Sequence, residues 1–195
     1  MIYLVRHGRT QFNAEQRFQG SLDSPLTTIG IAQAKAQGRL LRRLIPEGSD
    51  CPIVSSPLGR ARATAERIAE AMGGAPVAFD ARLAEVSLGA WEGLTPDEID
   101  ARWPGTRHPS VRVSWANGCP GSERFEAAIA RARDWLDAHR DRTVIAVSHG
   151  VTGSLLRGLH LGLGREEMLA LPIPQDAVFV LDERRVDRFD CEELV

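Results

Sequence analysis

Only one lysine, Lys35, stands among the 24 lysine and arginine residues of this 195-residue chain. Any chemistry that needs a reactive lysine would have to use that residue. Lys35 lies in no Gly-Lys-Ser/Thr sequence, so a phosphate-cradling P-loop is excluded. Cysteine is scarce too. Cys51, Cys119 and Cys191 are odd in number and form no Cys-x-x-Cys pair, so neither a zinc site nor a redox couple is indicated, and free thiols in a reducing compartment are expected. A Cys-x5-Arg nucleophile loop would need arginine where Pro57 and Phe125 stand. No two aspartates lie two positions apart, which removes an Asp-x-Asp nucleophile. Apolar runs are short of the ~7–15 residues of a secretory leader and the ~20 of a membrane span, so a cytoplasmic protein without a membrane partner is expected. Neither sign of charge dominates: the net charge of −2 gives no reason to expect a nucleic-acid partner.

What is present suits an ordinary folded domain. Hydrophobic residues make up 43% and charged residues 26%. A chain of this size buries roughly 70% of its unfolded surface, enough for a core without metal or disulfide staples. Strands are expected at 2–5, 52–55, 77–79 and 143–147, with a terminal hairpin over 177–181 and 186–189. Helices are expected from Thr27 or Thr28 to Leu44, after Pro57 through Met72, from Ser122 to His139, and after Ser148-His149-Gly150 to Leu161. Residues 9–26 read as a loop. The strands are continuously apolar and alternate with helices. The expected fold is therefore α/β: a three-layer α/β/α sandwich, a mostly parallel sheet with helices on both faces, in a single domain over 1–195. Residues 84–121, rich in Pro, Gly and Trp, read as a lid-like insertion over one end of the sheet, with a short helix near 97–102.

In open α/β sheets, ligands bind beyond the carboxyl ends of the strands. His7 follows the first strand there and His149 the fourth, each trailed by a glycine (Gly8, Gly150) that lets backbone approach a ligand. Arg6 beside His7 suits an anionic group, since guanidinium matches phosphate oxygens. Arg60 opens the helix after the second strand, where free N–H groups also favour anions. Glu85 and Glu92 compete as a general acid at the sheet edge. His139 and His160, at or near helix ends, read as structural.

These residues resemble the histidine phosphatase superfamily, the phosphoglycerate mutase-like fold. The matching blocks are Leu4-Val5-Arg6-His7-Gly8 with Thr10 and Asn13, then Arg17-Phe18-Gln19-Gly20 and Ser24-Pro25-Leu26-Thr27. Ser55-Ser56-Pro57-Leu58 with Arg60, Leu83-Glu85-Gly89-Trp91-Glu92-Gly93, and Ser148-His149-Gly150 follow in family order. The resemblance implies that His7 is the nucleophile and becomes phosphohistidine. Arg6, Arg60 and His149 would hold the phosphoryl oxygens, and Glu85 would be the proton donor. Asn13, Gln19, Gly20 and the Gly8 and Gly150 backbone would line the same pocket. No metal and no cofactor is implied; the expected partner is a small-molecule phosphate ester, and the chain is expected as a monomer or homodimer. A neutral His7 needs its second nitrogen to donate to a backbone carbonyl.

Within that family, mutases resemble one another in a Glu-Arg-His-Tyr run at the acid. Here the run is Glu85-Val86-Ser87-Leu88, and Pro120-Gly121-Ser122-Glu123 resembles the small, broad-specificity phosphatases instead. The expectation is thus a metal-independent phosphatase, with a cofactor-dependent phosphoglycerate mutase or a non-catalytic phosphoryl-binding module as the alternatives. A serine hydrolase built on Ser148 fails on order, because no histidine follows His160. Substrate choice is expected to lie in the insertion. Trp91, Trp103, Arg107, His108, Arg112 and Trp115 would roof the pocket, with Arg107 and Arg112 meeting a second anionic group.

Overall fold

The computed structural model describes residues 1–116 and 119–191. Asn117 and Gly118 of the expected insertion, and residues 192–195, lie outside them. Six strands form one sheet: β1 (Ile2–Arg6), β2 (Ile53–Ser55), β3 (Val77–Phe79), β4 (Val144–Ser148), β5 (Ala177–Asp182) and β6 (Arg185–Asp190). Their spatial order is β3-β2-β4-β1-β5-β6. The β3–β2, β2–β4 and β4–β1 pairs are parallel, and β5 and β6 join antiparallel as the C-terminal hairpin.

Side chains leave a strand alternately on its two faces, and both faces of β1 and β4 are covered. Ile2, Leu4, Val144 and Ala146 enter one core with Leu155, Leu156 and Trp135, from α7 (Gly150–Leu161) and α6 (Phe125–Ala138). Tyr3, Val5, Ile145 and Val147 enter the other with Leu41 and Ile68, from α2 (Thr28–Leu44) and α3 (Gly59–Ala71). That double burial is why the central strands carry no polar alternation. The molecule is the α/β/α sandwich expected.

Local differences have local causes. Residues 9–26 are not loop throughout: Thr10 and Asn13 form a reciprocal capping box that closes the single-turn α1 (Gln11–Ala14). The helix expected from Ser122 begins at Phe125, because the Ser122 N–H turns back to the Cys119 carbonyl and the Glu123 N–H to the Ser87 carbonyl. The helix expected after Pro57 begins at Gly59. The stretch 84–121 holds α4 (Pro96–Arg102), which Thr95 and Glu98 cap reciprocally, and the short α5 (Val111–Ala116). A further short helix, α8 (Arg165–Ala170), follows α7.

Candidate active site

The parallel register sets the carboxyl ends of three strands side by side. Arg6 pairs with Ser148, the His7 N–H reaches the Ser148 carbonyl at 3.0 Å, and the Ser56 N–H reaches the Val147 carbonyl at 2.9 Å. His7, His149 and Ser56 therefore emerge together. The rings of His7 and His149 lie 5.1 Å apart between centroids.

His7 is 2% exposed. Its Nδ1 lies 2.8 Å from the Gly8 carbonyl oxygen. A carbonyl only accepts, so Nδ1 carries the proton and Nε2 keeps its lone pair. Arg60 Nε donates toward that lone pair at 3.3 Å. Burial, then the guanidiniums of Arg6 and Arg60, push His7 well below the ordinary histidine value. The imidazole is neutral, in the tautomer a nucleophile requires.

Arg60 owes its place to the loop before α2. Its Nη1 donates to the Leu22 carbonyl at 2.7 Å and to Asp23 Oδ1 at 2.9 Å, and its Nη2 to the Gly20 carbonyl at 2.7 Å. Asp23 also accepts the Gly59 and Arg60 N–H groups, at 2.5 and 3.3 Å, and so caps α3. Burial lowers the Arg60 pKa, which Glu85 and Asp23 partly offset. Burial also pulls Arg6 down to about 10, and its Nη1 donates to the Ile173 carbonyl at 2.5 Å. The Arg6 Nε is buried without a partner.

His149 caps α7 with extended backbone, and its Nε2 lies 2.7 Å from the Ser56 hydroxyl. Its Nδ1 is buried and unpartnered. Burial, then Arg60, His7 and Arg6, hold His149 well below the ordinary histidine value. A buried polar atom left unpaired costs about 1–3 kcal/mol. Two such atoms on neighbouring strand ends, among fixed arginines, suit a tetrahedral oxyanion. Glu85 stands against the first turn of α7. Its Oε2 accepts the Val151 N–H at 3.0 Å, and its Oε1 the Thr152 N–H at 3.0 Å and the Val86 N–H at 3.1 Å.

Glu92 is held differently. Burial raises its pKa, but donors from Ser21, Leu88 and Ser87 outweigh that and hold the carboxyl below its usual value. It braces the loop that carries Gly20. Of the two competing acids, Glu85 is the one whose charge acts on Arg6, Arg60 and Arg112 alike.

The other expected pocket residues are each engaged by neighbours within the protein. The Gly8 N–H is taken by the Thr64 hydroxyl at 3.1 Å, and a Cβ on Gly8 would overlap the Gly30 carbonyl. Gly20 meets Arg60 through its carbonyl, at φ +53°, and a side chain there would overlap the Glu92 carboxylate. Asn13 Oδ1 accepts from the Thr10 N–H and from Gln175, both at 3.1 Å. Gln19 is buried, and its Oε1 receives the Ser24 hydroxyl at 3.4 Å. Gly150 opens α7, and a Cβ there would stand 3.1 Å from Ile173 and 3.4 Å from the Arg6 guanidinium. The expected aromatic roof is absent: Trp91 and Trp115 are 1% exposed in the core, and Trp103 packs on that core. Arg107 is paired with Asp100 at 2.6 Å, and His108 accepts the Ser110 N–H through Nδ1. Arg112 alone of that group acts electrically on Arg6.

The sequence alone marks no role for Ser56, Asp23, Thr64 or Gln175. Ser56 carries the same signal as the two histidines, a polar residue just past an apolar strand. Among the described residues no group of three or more His, Cys, Asp or Glu is placed to hold a metal ion, and no helix is long and apolar enough to cross a membrane.

The family model described as "Histidine phosphatase superfamily (branch 1)" matches residues 2–194. A protein of Salmonella choleraesuis named "Probable phosphoglycerate mutase GpmB" is 39% identical over 169 residues, covering 83% of this chain and 75% of that protein. The glucosyl-3-phosphoglycerate phosphatase of Mycolicibacterium vanbaalenii is 36% identical over 177 residues, covering 83% and 74%. Among solved structures, a mycobacterial glucosyl-3-phosphoglycerate phosphatase in complex with VO3 superposes with a TM-score of 0.79 at 31% identity, covering 98% of this chain and 99% of that one.

Proposed function

The chain belongs to the histidine phosphatase superfamily (branch 1), and on that premise we propose that it hydrolyses small phosphate monoesters, without a metal, through a phosphohistidine at His7. The observation that carries this reading is the state of His7: Nδ1 tied to the Gly8 carbonyl, Nε2 left with its lone pair beside the Arg60 guanidinium. The lone pair attacks phosphorus while the ester P–O bond breaks. Glu85 gives its proton to the leaving oxygen. A water then gives a proton back to Glu85 and attacks the phosphohistidine. The P–N bond breaks, orthophosphate leaves, and His7 is restored. Arg6 and Arg60 neutralise the phosphoryl oxygens in both steps and His149 hydrogen-bonds them, which is most of what phosphoryl transfer asks of a protein.

Hydrolysis is favoured over the mutase reaction by the segment after the acid. Val86 and Leu88 are buried in the core, so that run presents no cation to a second substrate group. Hydrolysis is favoured over mere binding because His7 and Glu85 are both present, neither substituted.

The test is intact-protein mass spectrometry after a rapid acid-free quench with p-nitrophenyl phosphate, repeated in EDTA. Wild type should gain about 80 Da, one phosphoryl group, and His7→Ala should not. Rapid loss of the adduct to orthophosphate supports the phosphatase. Persistence until phosphoglycerate discharges it would give the mutase. No adduct within one turnover would leave only a binding module.

A further inference from the structure

The strap Leu171-Pro172-Ile173-Pro174-Gln175, which with Asp176 links α8 to β5, is tied down through its carbonyls. Three successive carbonyls each receive an arginine: Leu171 from Arg112, Pro172 from Arg157 at 2.5 Å, and Ile173 from Arg6 at 2.5 Å. The fully buried Gln37 adds a fourth tie, its Nε2 donating to the Gln175 carbonyl at 3.2 Å and to the Arg6 carbonyl at 3.0 Å. Pro172 and Pro174 restrict the backbone between these ties. The strap is thus fixed from both sides before its last residue reaches inward.

That residue is Gln175. Its Nε2 donates to the His7 carbonyl at 3.0 Å and to Asn13 Oδ1 at 3.1 Å. The His7 carbonyl belongs to the His7–Gly8 peptide, whose N–H donates to the Thr64 hydroxyl at 3.1 Å. Thr64 in turn donates to the Arg60 carbonyl at 2.8 Å. One peptide plane is therefore clamped at both edges by side chains. The next carbonyl along, that of Gly8, is the one His7 Nδ1 uses at 2.8 Å. Rotating the clamped plane would carry the Gly8 carbonyl away from Nδ1, leaving the imidazole without the acceptor that fixes its tautomer and its aim.

We propose that Gln175 is a positioning residue of the nucleophile: by clamping the His7–Gly8 peptide it sets the tautomer and orientation of the His7 ring. It touches no reacting atom. The inference rests on the phosphohistidine reading for its kinetic consequence, while the tautomer itself is readable without turnover.

The experiment compares wild type, Gln175→Ala and Gln175→Glu by three measurements. Nitrogen-15 NMR of the imidazoles reads the His7 tautomer, rapid quench with p-nitrophenyl phosphate reads phosphohistidine formation, and titration with inorganic phosphate reads the oxyanion site. Wild type should show the Nδ1–H tautomer. Gln175→Ala should mix the tautomers and slow phosphohistidine formation roughly 10- to 100-fold, the scale of a small misplacement of a reacting group, while phosphate affinity changes less than about 3-fold. Gln175→Glu keeps the side-chain length but presents only acceptors to two acceptors, so it should be worse than alanine. If that variant does not fold, Gln175→Ala decides alone. A wild-type tautomer and rate in Gln175→Ala would overturn the inference. So would an Nε2–H tautomer in wild type, or rate and phosphate affinity falling by the same factor. A wild type that forms no phosphohistidine would overturn the proposed function only, with the tautomer of Gln175→Ala still deciding the role of Gln175.

Discussion

The His7 and His149 imidazoles face each other across 5.1 Å, tilted by 56°, both buried and both pushed well below the ordinary histidine value, by burial first and then by the arginines around them. Two neutral rings share a pocket with Arg6 and Arg60. The positive charge is thereby placed on the two guanidiniums, while His7, the proposed nucleophile, stays unprotonated.

A pH dependence of stability follows. Both histidines bind a proton less readily folded than unfolded, so below the unfolded value, near 6.5, the unfolded chain takes up protons that the folded chain refuses. Stability from this source is complete above about pH 6.5 and is lost as the pH falls. Each histidine contributes a slope of at most about 1.4 kcal/mol per pH unit. Urea unfolding at fixed pH between 7 and 5, above the main carboxylate range, should show that decline, and His149→Gln should remove about half of the slope. A flat profile over this window would contradict the buried neutral pair.

The position of Glu85 sets a leaving-group test. An alkyl phosphate needs a proton delivered to its leaving oxygen, whereas p-nitrophenolate departs without one. Glu85→Gln should cost an alkyl phosphate roughly 10²–10⁴-fold in kcat, the usual worth of a positioned acid. With p-nitrophenyl phosphate the first step should survive and the second stall, because in the proposed mechanism Glu85 also takes the proton from water. The signature is a burst of one equivalent of p-nitrophenolate, with phosphohistidine accumulating. Equal losses on both esters with no burst would remove Glu85 from the acid–base role.

The site divides into residues the sequence displays and residues it hides. His7, His149 and Arg60 are visible because each follows an apolar strand or opens the helix after one, and a parallel sheet must bring those ends together. Asp23 and Gln175 are hidden because they act on Arg60 and on the His7 carbonyl across loops, 37 and 168 residues away in sequence, with no local pattern to mark them. Trp91 and Trp115 misled as a roof. Tryptophan amid glycine and proline reads as exposed loop, yet the irregular segment folds its rings into the core beside α6. The helices α1, α5 and α8, of four, six and six residues, are too short to display a helical period. The α/β/α frame was legible for the opposite reason: β1 and β4 are apolar on both faces.

Gly20 offers a structural test of how Arg60 is held. Its φ of +53° disfavours a side chain, and a Cβ would also overlap the Glu92 carboxylate. Gly48, at φ +79°, has no atom within 4 Å of where its Cβ would stand and isolates the backbone cost alone. Gly48→Ala should cost about 1 kcal/mol, and Gly20→Ala up to about 3 kcal/mol. Only Gly20→Ala should also weaken inorganic phosphate binding, since only Gly20 gives Arg60 a carbonyl. Thermal unfolding and phosphate titration of the two variants decide this. Equal effects of both substitutions would mean that the loop does not hold Arg60 in place.

Arg112 offers the test of substrate choice. It is half-buried in α5 and donates to the Leu171 carbonyl; burial lowers its pKa and the charge of Glu85 supports it. An open cleft of about 680 Å³ lies beside it, lined also by Ser110, Val113, Arg165, Glu166 and Leu169. If Glu85 protonates the leaving group as proposed, a second anionic group on the substrate would lie on its side, where the Glu85 charge already acts on Arg112. A hydrogen bond to a charged partner is worth about 1.5–3 kcal/mol. Arg112→Ala should therefore raise KM for a phosphate ester bearing a carboxylate or second phosphate roughly 10- to 100-fold, with kcat little changed. The KM for p-nitrophenyl phosphate, which has no second anion, should stay within about 3-fold. Arg107→Ala is the control: its guanidinium is already committed to Asp100, and neither substrate should respond. Equal losses on both substrates in Arg112→Ala would mean that Arg112 supports the strap at Leu171 and does not read the substrate.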